Sequence, residues 1–138
     1  MGKSIRDLMT ENPRTVGANQ TVIEAAQAMR DDDVGLVPVV EGDRLVGTLT
    51  DRDIAIRVVA EGQDPHSTTV REVASTDLVT VDPHQELGEA LRLMAQHQVR
   101  RLPIVEEDGR LVGIVAQADV ARHGDDSQTG QVVEEISQ

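Results

Sequence analysis

Apolar and polar positions follow two spacings along this chain, one helical and one strand-like. Apolar residues at i, i+3, i+4 and i+7 predict a helix with a single apolar stripe, which consists of Val22, Ala25, Ala26 and Met29. Thr21-Val22-Ile23-Glu24 is a capping-box pattern that starts this helix. Two apolar runs, 34–40 and 44–50, flank a Gly-containing turn and predict a strand hairpin. A further helix is expected at 51–60.

The same order of elements returns in the second half of the chain. The helix stripe is repeated by Leu87, Ala90, Leu91 and Met94, and the strand run by residues 99–105. Residues 45–53 (LVGTLTDRD) are matched by residues 111–119 (LVGIVAQAD). The chain is therefore predicted to be a tandem repeat.

Short elements complete each copy. Ser4 is expected to cap a helical turn ending near Met9, and Thr69-Val70-Arg71-Glu72 is a second capping box. Brief strands are expected at Thr15-Val16 and at 79–81, and a last helix at 119–123. Pro38 and Pro103 interrupt strand runs, which predicts a sheet edge or a bulge at each.

Each repeat is thus predicted to be β-α-β-β-α, an α/β (α+β) class with helices on one face of a small sheet. Neither copy can bury its strands alone, so sheet-to-sheet packing about a pseudo-twofold axis is expected. The predicted boundaries are motif 1 at 5–62, a polar linker at 63–69, motif 2 at 70–123 and an acidic, mobile tail at 124–138 with a weak terminal helix.

Composition limits the function classes. A net charge of −12 argues against general affinity for nucleic acid or anionic membrane. No apolar run approaches the roughly 20 residues of a membrane span. The N-terminus carries no apolar signal core, so a cytoplasmic location is expected. Without Phe, Tyr or Trp, a bound purine would have to lie between aliphatic side chains.

Two charge features have alternative interpretations. Lys3 is the only lysine, so the basic residues are almost all Arg; this reflects either a GC-rich genome or phosphate recognition. Asp31-Asp32-Asp33 is either a solvated helix end or a Mg²⁺ site. The four histidines lie in separate segments without metal-ligand spacing, and no nucleophile or P-loop motif appears, so an enzyme is the third-ranked class.

The ordered duplication resembles a known family. Val37-Pro38-Val39 and Leu102-Pro103-Ile104 match its strand pattern, and the G-h-h-T-x-x-D junction matches its strand-to-helix turn. From about residue 5 to residue 123 the chain resembles the cystathionine-β-synthase (CBS) domain pair, or Bateman module. It is most similar in character to small stand-alone bacterial and archaeal members with T-D-R-D-I and H-x-V-R-R-h-P segments.

The resemblance implies clefts for adenosine-containing ligands. In the main cleft, Asp53 is expected to accept the ribose hydroxyls, and Thr50 to donate to a phosphate that faces unpaired N–H groups of the helix N-terminus. Arg100 and Arg101 are expected toward the phosphate. The expected main-cleft contacts are Thr48, Thr50, Arg52, Asp53, Val79, Val81, Val99, Arg100, Arg101, Leu102 and Pro103.

A twin, weaker cleft is implied as well. Its expected contacts are Val16, Val34, Gly35, Leu36, Val37, Pro38, Ile114 and Asp119. Ala116 replaces the hydroxyl residue and Gly35-Leu36 the arginine pair, so a phosphate would be held poorly there. Plain N-capping by Thr50 and Asp53, and a solvated or oligomer-contact role for the arginine pair, stay open.

The functional hypothesis is a non-catalytic regulatory module that binds AMP, ADP or ATP as an energy or ligand sensor, requires no other cofactor and acts on an unknown effector protein. The alternative is a structural or interaction module with empty clefts. A homodimer is expected, because one small sheet per repeat leaves part of the two apolar helix stripes uncovered.

Overall fold

The computed structural model describes residues 4–123 and divides them into two units. One unit is Arg14–Leu78, and the other combines residues 4–13 with residues 79–123. Each unit contains its own three-stranded sheet and helices, so the predicted mixed α/β class is confirmed. The expected mobile tail at 124–138, with its weak helix, lies outside the described residues.

The helices are α1 (Ile5–Leu8), α2 (Val22–Asp32), α3 (Asp51–Ile54), α4 (Val70–Val73), α5 (Leu87–His97) and α6 (Gln117–His123), and a π-helical turn (Ala55–Val59) continues α3. The strands are β1 (Thr10–Glu11), β2 (Val16–Gly17), β3 (Leu36–Glu41), β4 (Arg44–Thr50), β5 (Arg101–Val105) and β6 (Leu111–Ala116).

In the Arg14–Leu78 unit, the strand order is β2-β3-β4, with β2 parallel and β4 antiparallel to β3. Gly42 makes the β3–β4 turn with a φ of +64°, a conformation that glycine adopts without strain. Helix α2 begins at the Thr21 cap, whose side chain accepts the Glu24 N–H. The core of this unit joins the apolar face of α2 to the central strand residues and to Val70 and Val73 of α4.

In the second unit, the order is β1-β6-β5, and all neighbouring strands are antiparallel. Val81 adds a single parallel bridge to Ile104 on the outer side of β5. The apolar stripe of α5 is buried as its spacing predicts, and Ile5 of α1 is fully buried in the same core. Each hairpin is therefore flanked by a short strand on one side and by a single bridge on the other. The β3–β4 hairpin has β2 and a bridge from Ser75 to Thr48, and the β5–β6 hairpin has β1 and the bridge from Val81.

The opening segment of each sequence motif packs in the unit that holds the other motif's hairpin. Strand β1 pairs with β6 through Thr10 and Ile114. Ser75, just after α4, pairs with Thr48 of β4 through two backbone hydrogen bonds of 2.9 Å. As a result, one unit is the contiguous stretch Arg14–Leu78, whereas the other joins residues 4–13 to residues 79–123. The two units therefore do not coincide with the two sequence motifs. The motif boundaries at 5–62 and 70–123 stay a prediction.

Two glycines at equivalent positions let these segments approach. A Cβ at Gly47 would lie 2.9 Å from the Ser75 carbonyl oxygen, and one at Gly113 would lie 2.9 Å from that of Thr10. Real Cβ atoms do not approach backbone this closely, which explains why both junction motifs begin with glycine. An arginine of the preceding helix also pairs with a glutamate at the strand end in each unit: Arg71 with Glu41, and Arg6 with Glu106 at 3.2 Å.

Three secondary-structure expectations need correction. The helix expected at 51–60 changes into a π-helical turn at Ala55, where the Ala60 N–H reaches back to the Ala55 carbonyl. The strand expected at 79–81 is reduced to the bridge at Val81, and Pro83 soon after has no N–H to extend the pairing. Pro38 lies in the middle strand of its sheet, so the edge alternative is wrong there, whereas the bulge alternative agrees with the register irregularity at Val39/Val40.

The reasoning behind the expected dimer interface is also wrong. Both helix stripes are covered within their own units, apart from the half-buried Ala26. Among the residues that the structure describes, the large apolar side chains left exposed are elsewhere: Ile56, Val59 and Leu78. Within residues 4–123, no helix combines the length and apolar character needed to cross a membrane.

Candidate ligand-binding site

The β4–α3 junction is closed by a reciprocal capping box. Thr50 caps α3 from an extended conformation, and its Oγ1 accepts the Asp53 N–H at 3.0 Å. The Asp53 carboxylate returns through Oδ2, which accepts the Thr50 N–H at 3.0 Å. The N-capping interpretation of these two residues is therefore present in the structure, and it fixes both side chains at the point where a ligand was expected.

The backbone amides of this junction are all occupied, which overturns the expectation of unpaired N–H groups facing a phosphate. Besides the two amides of the capping box, the Asp51 N–H donates to the Gly35 carbonyl at 3.0 Å. The Arg52 N–H donates to the Asp51 Oδ1 at 2.8 Å. An incoming phosphate would meet the Asp51 carboxylate where free amides were expected, so side chains must supply the attraction.

Three groups at the junction keep hydrogen-bonding capacity. The Thr50 hydroxyl accepts through its oxygen and still has its own hydrogen to donate. The Asp53 Oδ1 accepts no hydrogen bond from a described residue, and the Arg57 Nε lies 3.9 Å from it. Arg52 is exposed and forms no ion pair within the described part of the chain. A donor, an acceptor and a cation are thus presented within four residues.

The equivalent β6–α6 junction is built differently. Ala116 has no hydroxyl to cap the helix, so no reciprocal box forms there. The Asp119 Oδ1 instead accepts from Arg122 at 2.8 Å, on a partly exposed helix turn. The Gln117 N–H donates to the Arg100 carbonyl at 2.8 Å, as Asp51 does to Gly35, while the buried Nε2 of Gln117 has no partner among residues 4–123.

The predicted apolar contacts divide into buried and accessible residues. Val81, Leu102, Val16 and Val37 are each at most 3% exposed, so their side chains belong to the cores. Pro38 and Pro103 are buried as well. The half-buried members, whose surfaces remain accessible, are Val79, Val99 and Ile114 in one unit, and Val34, Gly35 and Leu36 in the other.

Within each unit, the hairpin brings residues of both predicted clefts side by side. Thr48 lies opposite Pro38, and Thr50 opposite Leu36. In the other unit, Ile114 lies opposite Pro103, and Arg101 opposite Ala116. Arg100 is exposed and Arg101 half-buried, and neither forms an ion pair with any residue that the structure describes. The arginine pair therefore keeps its charge available.

A cavity that the sequence did not predict lies on the Arg14–Leu78 unit. Its volume is about 280 Å³, and it is lined by Arg57, Glu61, Gln63, Thr68, Glu72 and Val73. Two carboxylates against one guanidinium disfavour a phosphate there. Among the residues described, no cluster of three or more His, Cys, Asp or Glu is placed to hold a metal ion.

Comparison with known proteins agrees with the repeat and the fold. Protein YhcV of Bacillus subtilis, a CBS domain-containing protein, is 53% identical over 86% of this chain and 83% of its own length. The crystal structure of Hypoxic Response Protein I with two coordinated zinc ions superposes with a TM-score of 0.82, at 44% identity over 89% of this chain and all of that one.

A third similar protein has been solved with a ligand. CBSX2 in complex with AMP superposes with a TM-score of 0.77, at 26% identity over 88% of this chain and 95% of that one. The CBS domain family model matches this sequence twice, at residues 5–60 and 70–126. These two matches cover most of the sequence, and each contains one copy of the strand–helix junction. The chain therefore belongs to the CBS domain family and carries a tandem pair of its domains.

Proposed function

We propose that this CBS pair is a non-catalytic regulatory module that binds an adenine nucleotide of the AMP, ADP or ATP type. The observation that carries the proposal is the β4–α3 junction, where the capping box holds Asp53 with Oδ1 free of backbone partners and leaves the Thr50 hydroxyl hydrogen to donate. A ribose offers two hydroxyl donors, which suit a fixed carboxylate oxygen. The AMP complex of a relative supports an adenosine ligand.

Side chains would supply the phosphate affinity, because the junction amides are occupied. Arg100 and Arg101 of the second motif are the candidates, together with Arg52 and the Thr50 hydroxyl. A charge-assisted hydrogen bond contributes roughly 1.5–3 kcal/mol, or about tenfold or more in affinity. Arg101→Ala should therefore weaken AMP binding by about tenfold while leaving uncharged adenosine within about threefold.

Isothermal titration calorimetry with AMP and adenosine tests this assignment. Arg110→Ala is a control, since Arg110 is an exposed arginine of the β5–β6 turn without an ion pair in the described part of the chain. The preference for AMP over adenosine should also shrink as salt is raised. An equal loss for both ligands in Arg101→Ala would show that this arginine supports the fold and does not bind phosphate.

The two junctions differ enough to predict unequal sites. Asp53 is held in place by the capping box with Thr50. Asp119 instead accepts a hydrogen bond from Arg122, and Ala116 at that junction has no hydroxyl with which to form a box. We expect one dominant nucleotide site per chain, lost in Asp53→Ala and largely kept in Asp119→Ala. Two equal sites in calorimetry, or a larger loss from Asp119→Ala, would contradict the proposed asymmetry.

The alternative function is an interaction module that dimerises without a nucleotide. Ile56 and Val59, which are 46% and 70% exposed, lie one turn apart in the π-helical turn and support an apolar contact with a second copy. A homodimer is proposed under either function, and the effector protein is not identified. Light scattering at micromolar concentration should give the dimer mass, and Val59→Glu should reduce it to the monomer mass.

The proposal is limited to a nucleotide ligand and includes no metal. Zinc belongs to the solved Hypoxic Response Protein I, whereas the present chain contains no cysteine and its described side chains form no ligand cluster. The cytoplasmic location expected from the sequence stays a prediction.

A further inference from the structure

The carboxylate of Asp53 is held through one oxygen only. Its Oδ2 accepts the Thr50 N–H at 3.0 Å, which fixes that end of the group on the backbone. The torsion about the Cβ–Cγ bond still decides the direction in which Oδ1 points. Among the described residues, the cation within ion-pair distance is Arg57, four residues further along the chain, whose Nε lies 3.9 Å from Oδ1.

The guanidinium of Arg57 is itself anchored. Its Nη1 donates to the Val73 carbonyl at 3.1 Å, and Val73 is a buried residue that ends α4. Different nitrogens therefore make the anchor and face the carboxylate. An arginine fastened in this way loses much of its rotamer freedom in advance, so it can direct a neighbouring charge at lower entropic cost.

The distance between Arg57 and Asp53 matters for ligand binding. At 3.9 Å the Nε is beyond hydrogen-bond range of Oδ1 but close enough to attract it. The lone pairs of Oδ1 are therefore left for another donor. The Asp53 side chain is 18% exposed and that of Arg57 53% exposed, so solvent reaches the pair and moderates its strength.

We propose that Arg57 is a positioning residue that orients the Asp53 Oδ1 as the acceptor of a ribose hydroxyl. This inference rests on the proposed function, because it assigns the oxygen through which Asp53 binds the nucleotide. Arg57 does not contact the ligand in this proposal. It acts through the carboxylate, while its bond to Val73 keeps the π-helical turn and α4 together.

The test compares ligands that differ only in the ribose. Binding of AMP and of 2′,3′-dideoxy-AMP is measured by calorimetry for the wild type, Arg57→Gln, Arg57→Lys and Asp53→Asn, and for the double variant Asp53→Asn/Arg57→Gln. Arg30→Gln is the control for lost positive charge, because Arg30 is exposed on α2 and pairs only with its neighbour Asp31 among the described residues. Thermal unfolding of each variant reports any loss of structure.

Arg57→Gln should weaken AMP binding by about two- to fivefold, the range that a partly exposed ion pair supports. The dideoxy analogue should bind this variant as it binds the wild type. Arg57→Lys should recover part of the AMP affinity, Arg30→Gln should bind AMP normally, and Arg57→Gln should have no effect once Asp53 is Asn.

Each contrary result has a separate meaning. Equal losses for AMP and the dideoxy analogue, or a loss that persists in the Asp53→Asn background, would overturn the positioning role and make Arg57 a structural residue. An equal loss of AMP affinity in Arg30→Gln would assign the effect to overall charge, which also overturns it. If the folded wild type binds no AMP, the proposed function itself fails and this inference with it.

Discussion

Substitution of Ile5 tests the most unexpected packing in this fold. Ile5 is fully buried in the unit that contains β5 and β6, although it opens the first sequence motif. Ile5→Ala removes three carbons, which at about 0.8 kcal/mol per buried CH₂ gives about 2.4 kcal/mol. A cavity would remain under α1, and it brings the expected loss of unfolding free energy to about 3 kcal/mol.

Val70→Ala is the matched variant, because Val70 holds the same place in the repeat and is fully buried in the Arg14–Leu78 unit. It removes two carbons, so a loss of about 2 kcal/mol is expected. Urea unfolding followed by circular dichroism gives both values, since the chain has no aromatic residue for fluorescence.

The location of each effect is read from amide NMR shifts. Ile5→Ala should perturb residues 101–116, and Val70→Ala should perturb residues 36–50. Perturbation of 36–50 by Ile5→Ala, or a loss below about 1 kcal/mol, would refute the assignment of Ile5 to the second core.

Three further outcomes are expected. Asp51→Asn should tighten AMP binding by about two- to fivefold, because the amide still accepts the Arg52 N–H while a like charge near the phosphate is gone; calorimetry showing no gain would contradict this. Gly47→Ala should destabilise the protein by about 1–3 kcal/mol in urea unfolding, since its Cβ would meet the Ser75 carbonyl; wild-type stability would mean that the strand yields without cost. The hydrogen bond from Arg92 lowers the pKa of Glu89, so the pair stabilises the fold above the ordinary glutamate pKa and loses this effect as pH falls through the lowered value; carboxyl NMR titration should show the low pKa in the wild type and an ordinary one in Arg92→Gln.

Local pattern predicted the elements whose causes are local. The α5 stripe is buried residue for residue because its 3.6-residue spacing faces one sheet. The capping box expected at Thr69 forms, and the N-capping interpretation of Thr50 and Asp53 takes the form of a capping box, since each needs only a hydroxyl and an acid three residues apart. At Thr50 the geometry contains the N-cap and is also compatible with a ligand contact, because the capping hydroxyl keeps its own hydrogen to donate.

Long-range choices could not be predicted in this way. The segments at Ser4–Asp7 and Thr69–Glu72 have the same pattern, so nothing local tells which sheet each one joins. The occupied amides at the junction depend on the rotamer of Asp51 and on the Gly35 carbonyl, neither of which a spacing reveals. The π-helical turn depends on backbone pairing at Ala60, and its apolar sequence is compatible with an ordinary helix.

The packing of α1 and β1 in the unit that contains β5 and β6 also affects the order in which the protein can fold during synthesis. Arg6 and its partner Glu106 are 100 positions apart in sequence, and β1 is separated from its partner strand β6 by a similar length of chain. The Arg14–Leu78 unit is one contiguous stretch of the chain, so it can form before residues 101–116, which provide the core around Ile5, have been synthesised. Closure of so long a loop costs more entropy than any pairing inside that unit, so docking of α1 and β1 should be the late and slow step of folding.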